Sequence, residues 1–93
     1  MFQKKDIIYS ETLGVCRIDE ITKLTQKSGD TVMYYGLRSM KDGRTAYIPV
    51  ENHSVKLRNL IETQAAEEIK NSTYDNLSAL EQYEVDYVLQ GGK

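Results

Sequence analysis

The stretch YYGLRSMKDGRTAYIPVEN, residues 34–52, decides the fold, because it contains two strand-like runs joined by one tight turn. The pair Asp42-Gly43 lies between the two runs. This dipeptide is a strong signal for a β-hairpin, and it favours a type I′ turn in which both central residues have positive φ. The sequence therefore predicts that the chain reverses here and that the second run returns antiparallel to the first.

The strand after this turn has a clear alternation of side chains. Ala46, Ile48 and Val50 occupy every second position, and we expect this set to face the core. Tyr47 and Pro49 lie between them and point outward. Because proline cannot donate a ladder hydrogen bond, we expect Pro49 near a sheet edge or a strand end. The outward stripe is either an ordinary solvent-facing surface or a binding face, and alternation alone does not separate the two.

The remaining strands are predicted on both sides of this hairpin, over residues 5–9, 15–25, 31–40 and 55–61. A polar connection with Gly14 separates the first two, and Ser28-Gly29 centres the turn before the third. In the second strand the apolar residues recur every three positions, which is a helical spacing in a β-rich run. A β-bulge near residues 17–19 reconciles the two signals. The segment 55–61 is expected to add a last short strand or a turn that closes the sheet into a small barrel.

The last thirty residues are predicted to be helical, over residues 63–71 and 77–89. Ser78 and Glu81 have the spacing of a capping box at the start of the second helix, and Gly91-Gly92 ends it. The predicted fold class is mostly β with a C-terminal α part. We expect a β-barrel over residues 1–60 and a short helical extension over residues 61–93.

Composition excludes several classes of function. The chain has 93 residues, of which 40% are hydrophobic and 28% charged, as is typical of one globular domain. Its only cysteine, Cys16, and its only histidine, His53, belong to no metal or catalytic motif, so we expect a packed thiol and a residue of turn structure. We predict no enzyme, no cofactor and no metal. The charged N-terminus predicts no signal peptide or membrane segment, and hence a cytoplasmic protein.

Charge is unevenly distributed along the chain. Residues 1–50 contain eight Lys/Arg and six Asp/Glu, whereas residues 51–93 contain four and eight, which gives +2 and −4. An acidic segment repels phosphate, and an autonomous nucleic-acid binder usually has a concentrated basic face. Strong independent DNA binding is therefore not expected.

Three segments carry a resemblance to a known family. DIIYSETLGVCRIDEI, YYGLRSMKDGRTAYIPVEN and VKLRNLI together resemble the CarD-like domain, which also occurs in the transcription-repair coupling factor as its RNA-polymerase-interacting domain. The similarity covers about residues 1–60. The matching residues are Asp6 and Tyr9, Gly14 and Val15, Tyr34 and Leu37, the corner from Pro49 to Asn52, and Leu57 with Arg58.

The resemblance implies a Tudor- or SH3-like five-stranded antiparallel barrel that binds the β-subunit lobe of bacterial RNA polymerase and regulates transcription. Its contact surface would include Leu37, Tyr47 and Pro49. The positions that best match the family's basic contacts are Leu24 and Tyr47, with Lys23 and Arg44 nearby. The family's DNA-binding helical domain and its tryptophan have no counterpart in this chain, so DNA contact is not carried over.

Two other functions remain open from the sequence. One is a small nucleic-acid-binding SH3-like barrel, since such barrels use aromatic and basic faces. The other is a self-associating structural module. For the polymerase adaptor we expect a monomer or weak self-association.

Overall fold

The structure is a computed structural model, which describes residues 2–51 and 54–92. It contains five strands followed by two α-helices and a short 3₁₀ turn. Two residues with predicted roles lie outside the described residues: His53, expected in turn structure, and Asn52, which ends the corner that begins at Pro49. The strands are β1 (Ile7–Ser10), β2 (Gly14–Thr25), β3 (Thr31–Ser39), β4 (Thr45–Pro49) and β5 (Leu57–Asn59), and the helices are α1 (Thr63–Lys70) and α2 (Ala79–Leu89), with the 3₁₀ turn at Tyr74–Asn76 between them.

The five strands form one antiparallel sheet in the order β4-β3-β2-β1-β5. The mostly-β fold with a helical C-terminal part is therefore confirmed. The sheet is open in the described part of the chain, because β4 and β5 stand at its two edges and do not pair with each other. The predicted last strand is present as β5 and pairs with β1. Barrel closure stays a prediction.

A β-bulge lies in β2, as predicted. Ile18 pairs with Leu37 of β3, and the next paired residue of β2 is Glu20, so Asp19 is the extra residue. The extra residue shifts the inward–outward alternation of the β2 side chains by one position. Ile18 and Ile21 therefore both face inward, although they are three positions apart. This explains the helix-like spacing of apolar residues in a strand.

The β3–β4 turn differs from the prediction. Ser39 N donates to Arg44 O at 2.7 Å, so the loop has four residues, Met40 to Gly43. Gly43 has φ of 77°, but the only non-glycine with positive φ among the described residues is Lys5. The type I′ prediction was therefore wrong, because it needed positive φ at Asp42 as well. The Ser39 hydroxyl instead accepts bonds from the backbone N–H of residues 41 and 42, which stabilises a longer loop.

The core divides between the two faces of the sheet. The inner face carries the main cluster, whose buried members are Ile8, Leu13, Cys16, Ile18, Tyr35, Leu37 and Ile48. Ala46 and Val50 pack against it half-buried, so the predicted inward set of β4 is confirmed. On the other face, Tyr87 of α2 packs with Tyr9 and Val15 and covers the β1 end of the sheet.

The helices begin and end close to the predicted bounds. At the start of α2, Ser78 Oγ accepts from Glu81 N at 3.3 Å and Glu81 Oε1 accepts from Ser78 N at 3.2 Å, which confirms the capping box. A bidentate ion pair then fixes α2 to the sheet. Arg58 of β5 donates to both carboxylate oxygens of Glu84, at 2.7 and 2.8 Å, and Glu84 is only 2% exposed. The helical part is therefore packed onto the sheet.

Candidate functional site

The side of the sheet that α2 covers over β1 and the start of β2 continues across the rest of β2, β3 and β4, where no helix of the described residues covers it. We call this uncovered surface the outer face. Strand register places its side chains in rows, with Glu20, Gly36 and Tyr47 in one row and Thr22, Tyr34 and Pro49 in the next, followed by Leu24 beside Val32. Tyr47 is 58% exposed and Leu24 is 50% exposed. The predicted outward stripe of β4 is therefore confirmed.

Tyr47 is held in place by a contact that crosses the middle strand. Its hydroxyl donates to Glu20 Oε1 at 2.6 Å, so the side chain lies across Gly36 of β3. A Cβ at position 36 would come within 2.7 Å of Glu20 Cγ and 3.1 Å of Tyr47 Cε1. The hydrogen bond to Glu20, together with its negative charge, raises the pKa of Tyr47 above its ordinary value. An exposed aromatic ring with a fixed orientation is the result.

The backbone of β4 offers hydrogen-bonding groups on its outer side. Arg44 O and Val50 N bond to β3, and alternation in an antiparallel ladder then directs the backbone groups of residues 46 and 48 to β3 as well. The N–H and C=O groups of Thr45 and Tyr47 consequently point away from the sheet. Pro49 has the same phase, so its missing N–H costs no ladder bond. No strand in the described part of the chain pairs with this side.

The predicted contact residues do not all lie together. Tyr47, Pro49 and Leu24 share the outer face. Lys23 is exposed on the opposite face, where it pairs with Met33, and Arg44 directly follows the β3–β4 loop, where its Nε contacts Asp42 Oδ2 at 2.8 Å.

Leu37, unlike the other predicted contact residues, is fully buried. It is 1% exposed and belongs to the inner core, so its side chain contributes packing below the surface.

Sequence reasoning missed two residues of the outer face and a charged cluster beside it. Glu20 and Gly36 set the orientation of Tyr47, and the only available signal was a glycine inside an otherwise bulky strand. Asp19, the bulge residue, accepts from Arg17 Nε at 2.6 Å and from Arg38 Nε at 2.7 Å. These two hydrogen bonds lower the pKa of Asp19. The cluster borders a hollow of about 250 Å³ that Tyr47 also lines.

No group of three or more His, Cys, Asp or Glu among the described residues is placed to hold a metal ion. Cys16 is fully buried, as predicted, and burial raises the pKa of its thiol to about 11. No helix among these residues has the length and apolar character needed to cross a membrane.

Comparisons of the chain with protein-family models, with curated proteins and with solved structures gave no match.

Proposed function

We propose that this chain is a non-catalytic adaptor that binds the β-subunit lobe of bacterial RNA polymerase and regulates transcription. The observation that carries the proposal is the exposed, oriented side chain of Tyr47 on an edge strand whose backbone groups are unpaired in the described part of the chain. The choice of RNA polymerase as the partner rests on the resemblance of residues 1–60 to the CarD-like domain.

The proposed mode of binding is strand addition. A strand of the partner pairs with β4 through the outward N–H and C=O groups of Thr45 and Tyr47, which supply affinity with little demand on sequence. Tyr47 and Pro49 contact the partner's side chains and fix the register. Exposed edges are otherwise a hazard for aggregation, so a bound partner strand also gives this edge a stable environment.

We also propose the Tudor- or SH3-like character of the β domain. Strands β4 and β5 lie at opposite edges of the sheet, yet Ile48 of β4 and Leu57 of β5 contribute to the same core cluster. A flat sheet would keep these two side chains apart, whereas a strongly curved one brings them over a shared core.

The first test removes the side chains. Tyr47→Ala with Pro49→Ala is expected to weaken binding to the purified β lobe by about tenfold or more, measured by titration calorimetry, with the fold retained. Met33→Ala is the control, since Met33 is an exposed apolar residue of the opposite face. Undiminished affinity in the folded double variant would overturn the assigned surface. No binding by the wild-type chain would overturn the adaptor function itself.

The second test separates backbone from side-chain recognition. Thr45→Pro removes one outward N–H while leaving the bonds between β3 and β4 in place, and Thr45→Ala is its matched control. We expect the proline variant alone to lose affinity. Equal affinities for the two variants would exclude strand addition on β4.

The third comparison concerns charge. Lys23→Ala and Arg44→Ala are expected to weaken binding less than the Tyr47 and Pro49 changes, and mainly at low salt, because exposed charges at a rim are screened. An effect of either that persists at high salt would place it in the centre of the contact.

A further inference from the structure

A basic cluster lies beside the outer face, where the loop before β1 meets the bulge of β2. It consists of Lys4, Lys5, Arg17 and Arg38 around Asp19. Lys4 and Lys5 line a hollow of about 300 Å³ together with Arg17 and Asp19. All four basic residues are exposed, and the side chains of Arg17 and Arg38 are 45% and 50% exposed.

The cluster combines three local features that are unfavourable for stability. Arg17 and Arg38 are directly opposite each other on neighbouring strands, and like charges in that position repel. A bulge interrupts the β2–β3 ladder at Asp19. Lys5 has φ of 78°, a conformation that residues other than glycine seldom adopt. Unfavourable local geometry of this kind concentrates at functional sites.

Asp19 organises the cluster without neutralising it. Each of its two carboxylate oxygens accepts from the Nε of one arginine, which fixes the spacing of the two guanidinium groups. The terminal Nη groups of both arginines are not used by this contact. Lys5 is held beside the bulge because its N–H donates to Ile18 O at 2.7 Å. Four positive charges against the Asp19 carboxylate leave a local sum of +3, which becomes +1 when the neighbouring Asp6 and Glu20 are included.

We propose that this cluster binds the phosphate groups of a nucleic-acid backbone. Guanidinium Nη pairs match phosphate oxygens bidentately, and lysine adds point charges. Tyr47 lines the hollow next to Arg38, so an aromatic ring adjoins the cationic surface, as in proteins that bind nucleic-acid strands. The inference does not depend on polymerase binding, because its basic residues and its ligand are different; Tyr47 alone is common to the two proposals.

Binding by the isolated chain is expected to be weak and dependent on salt. The segment 51–93 carries a sum of −4, which opposes approach of a polyanion outside the cluster. Non-specific affinities of this kind have Kd of about 10⁻⁴ to 10⁻⁶ M, and the logarithm of the association constant falls with log salt concentration by about 0.9 per phosphate contact. For three or four contacts we expect a slope of about −3 on duplex DNA.

The test measures binding of the full chain to a short fluorescent DNA duplex and to the same single strand by anisotropy, between about 50 and 200 mM salt. Arg17→Gln with Arg38→Gln is expected to lower the affinity about tenfold and to reduce the salt slope by about two. Lys23→Gln with Lys27→Gln is the control, since it removes the same charge from the far end of the β2–β3 hairpin. Thermal unfolding confirms that both variants are folded.

Each outcome decides the proposal. A loss in the arginine pair that exceeds the loss in the lysine control supports the site, and preference for duplex or single strand identifies its source of phosphate. Equal losses in the two pairs, or no binding by the wild-type chain at the lowest salt, would overturn it. Equally tight binding of poly-glutamate would also overturn it and assign the cluster to an acidic protein surface.

Discussion

An alanine at position 36 would place its Cβ against the two side chains that cross above it, Glu20 and Tyr47. The backbone at Gly36 does not have positive φ, so the effect of Gly36→Ala is steric alone. We expect a loss of about 1–3 kcal/mol in the free energy of unfolding, since insertion into a tight contact forces side chains to move. Denaturation in urea measures it.

The same substitution has a second readout. When the Tyr47 hydroxyl is displaced from Glu20, its pKa falls towards the ordinary value of 10.0. An NMR titration of labelled tyrosine follows this change. In the double variant Glu20→Ala/Gly36→Ala, the closer of the two contacts, between the new Cβ and Glu20 Cγ, is absent. This variant should therefore be more stable than Gly36→Ala alone. A Gly36→Ala protein with wild-type stability and an unchanged Tyr47 pKa would contradict the described crossing.

Gly43 is needed for its backbone conformation, whereas Gly36 is needed because space for a side chain is lacking. An added Cβ there meets no atom within 4 Å, but φ is 77°. Gly43→Val should therefore destabilise the fold by about 1–3 kcal/mol, because a β-branched residue resists positive φ. Gly43→Asn is the control, since asparagine tolerates this region. Equal melting temperatures for the valine and asparagine variants would show that backbone strain is not the cause.

Alternation along β4 was sufficient to predict which side chains of the candidate site are outward. Tyr47 and Pro49 followed from it, and both lie on the outer face. Leu37 was assigned to the contact surface by resemblance only. It pairs with Ala46, whose inward direction was already predicted, so alternation across the ladder places Leu37 in the core. Glu20 was not predicted because its contact with Tyr47 spans 27 positions and depends on the bulge.

At the scale of elements, strands, helices and the capping box followed from local patterns, whereas loop geometry and sheet closure did not. The bulge was predictable because the apolar residues of β2 recur every three positions, whereas a regular strand would have them at every second position. The β3–β4 loop was not, because the Ser39 hydroxyl competes for backbone N–H groups and favours a longer loop than Asp42-Gly43 suggests. The place of β5 depends on its pairing with β1, for which the sequence carries no local signal.

The contact between β5 and α2 can be tested as an ion pair. Arg58→Met leaves the Glu84 carboxylate buried without its guanidinium, and we expect a loss of about 3 kcal/mol in the free energy of unfolding. Arg58→Met with Glu84→Met should be more stable than Arg58→Met alone, because no buried charge remains. Urea denaturation of both single variants and the double variant completes the cycle. A double variant less stable than either single one would contradict this account.

At the scale of the molecule, the sheet and the helices share one packed interface. Val15 of β2 is 1% exposed under α2, and the Tyr83 hydroxyl donates to Met40 O at 3.0 Å. The helical segment was predicted as a short C-terminal extension after a β-barrel of residues 1–60. Because its removal would uncover Tyr9 and Val15, we expect the helices and strands to unfold in a single transition.

Acid should destabilise the whole chain. Hydrogen bonds from Tyr74 and Lys70 lower the pKa of Asp86, and those from Ser78 lower the pKa of Glu81. Carboxylates with a folded-state pKa below the unfolded one stabilise the protein fully above their ordinary values of 3.8 and 4.5, and this contribution is lost as pH falls through the lower folded-state pKa.

Urea denaturation between neutral pH and about pH 2 measures this dependence. Asp86→Asn with Glu81→Gln should be less stable than the wild-type chain at neutral pH, and its stability should change less in acid. Parallel pH profiles for the two proteins would show that these carboxylates do not contribute.

The register of β1 with β2 ends at Arg17, so among the described residues the later half of β2, like β4, has a neighbouring strand on one side only. In this half of the sheet, β3 is the one described strand that lies between two others. A substitution in β3 must be compatible with the side chains of both β2 and β4. A substitution in β4 or in the later half of β2 must be compatible with the side chains of β3 only. Substitutions along β4 and the later half of β2 can therefore alter the edges of the sheet while β3 keeps its pairing with both neighbours.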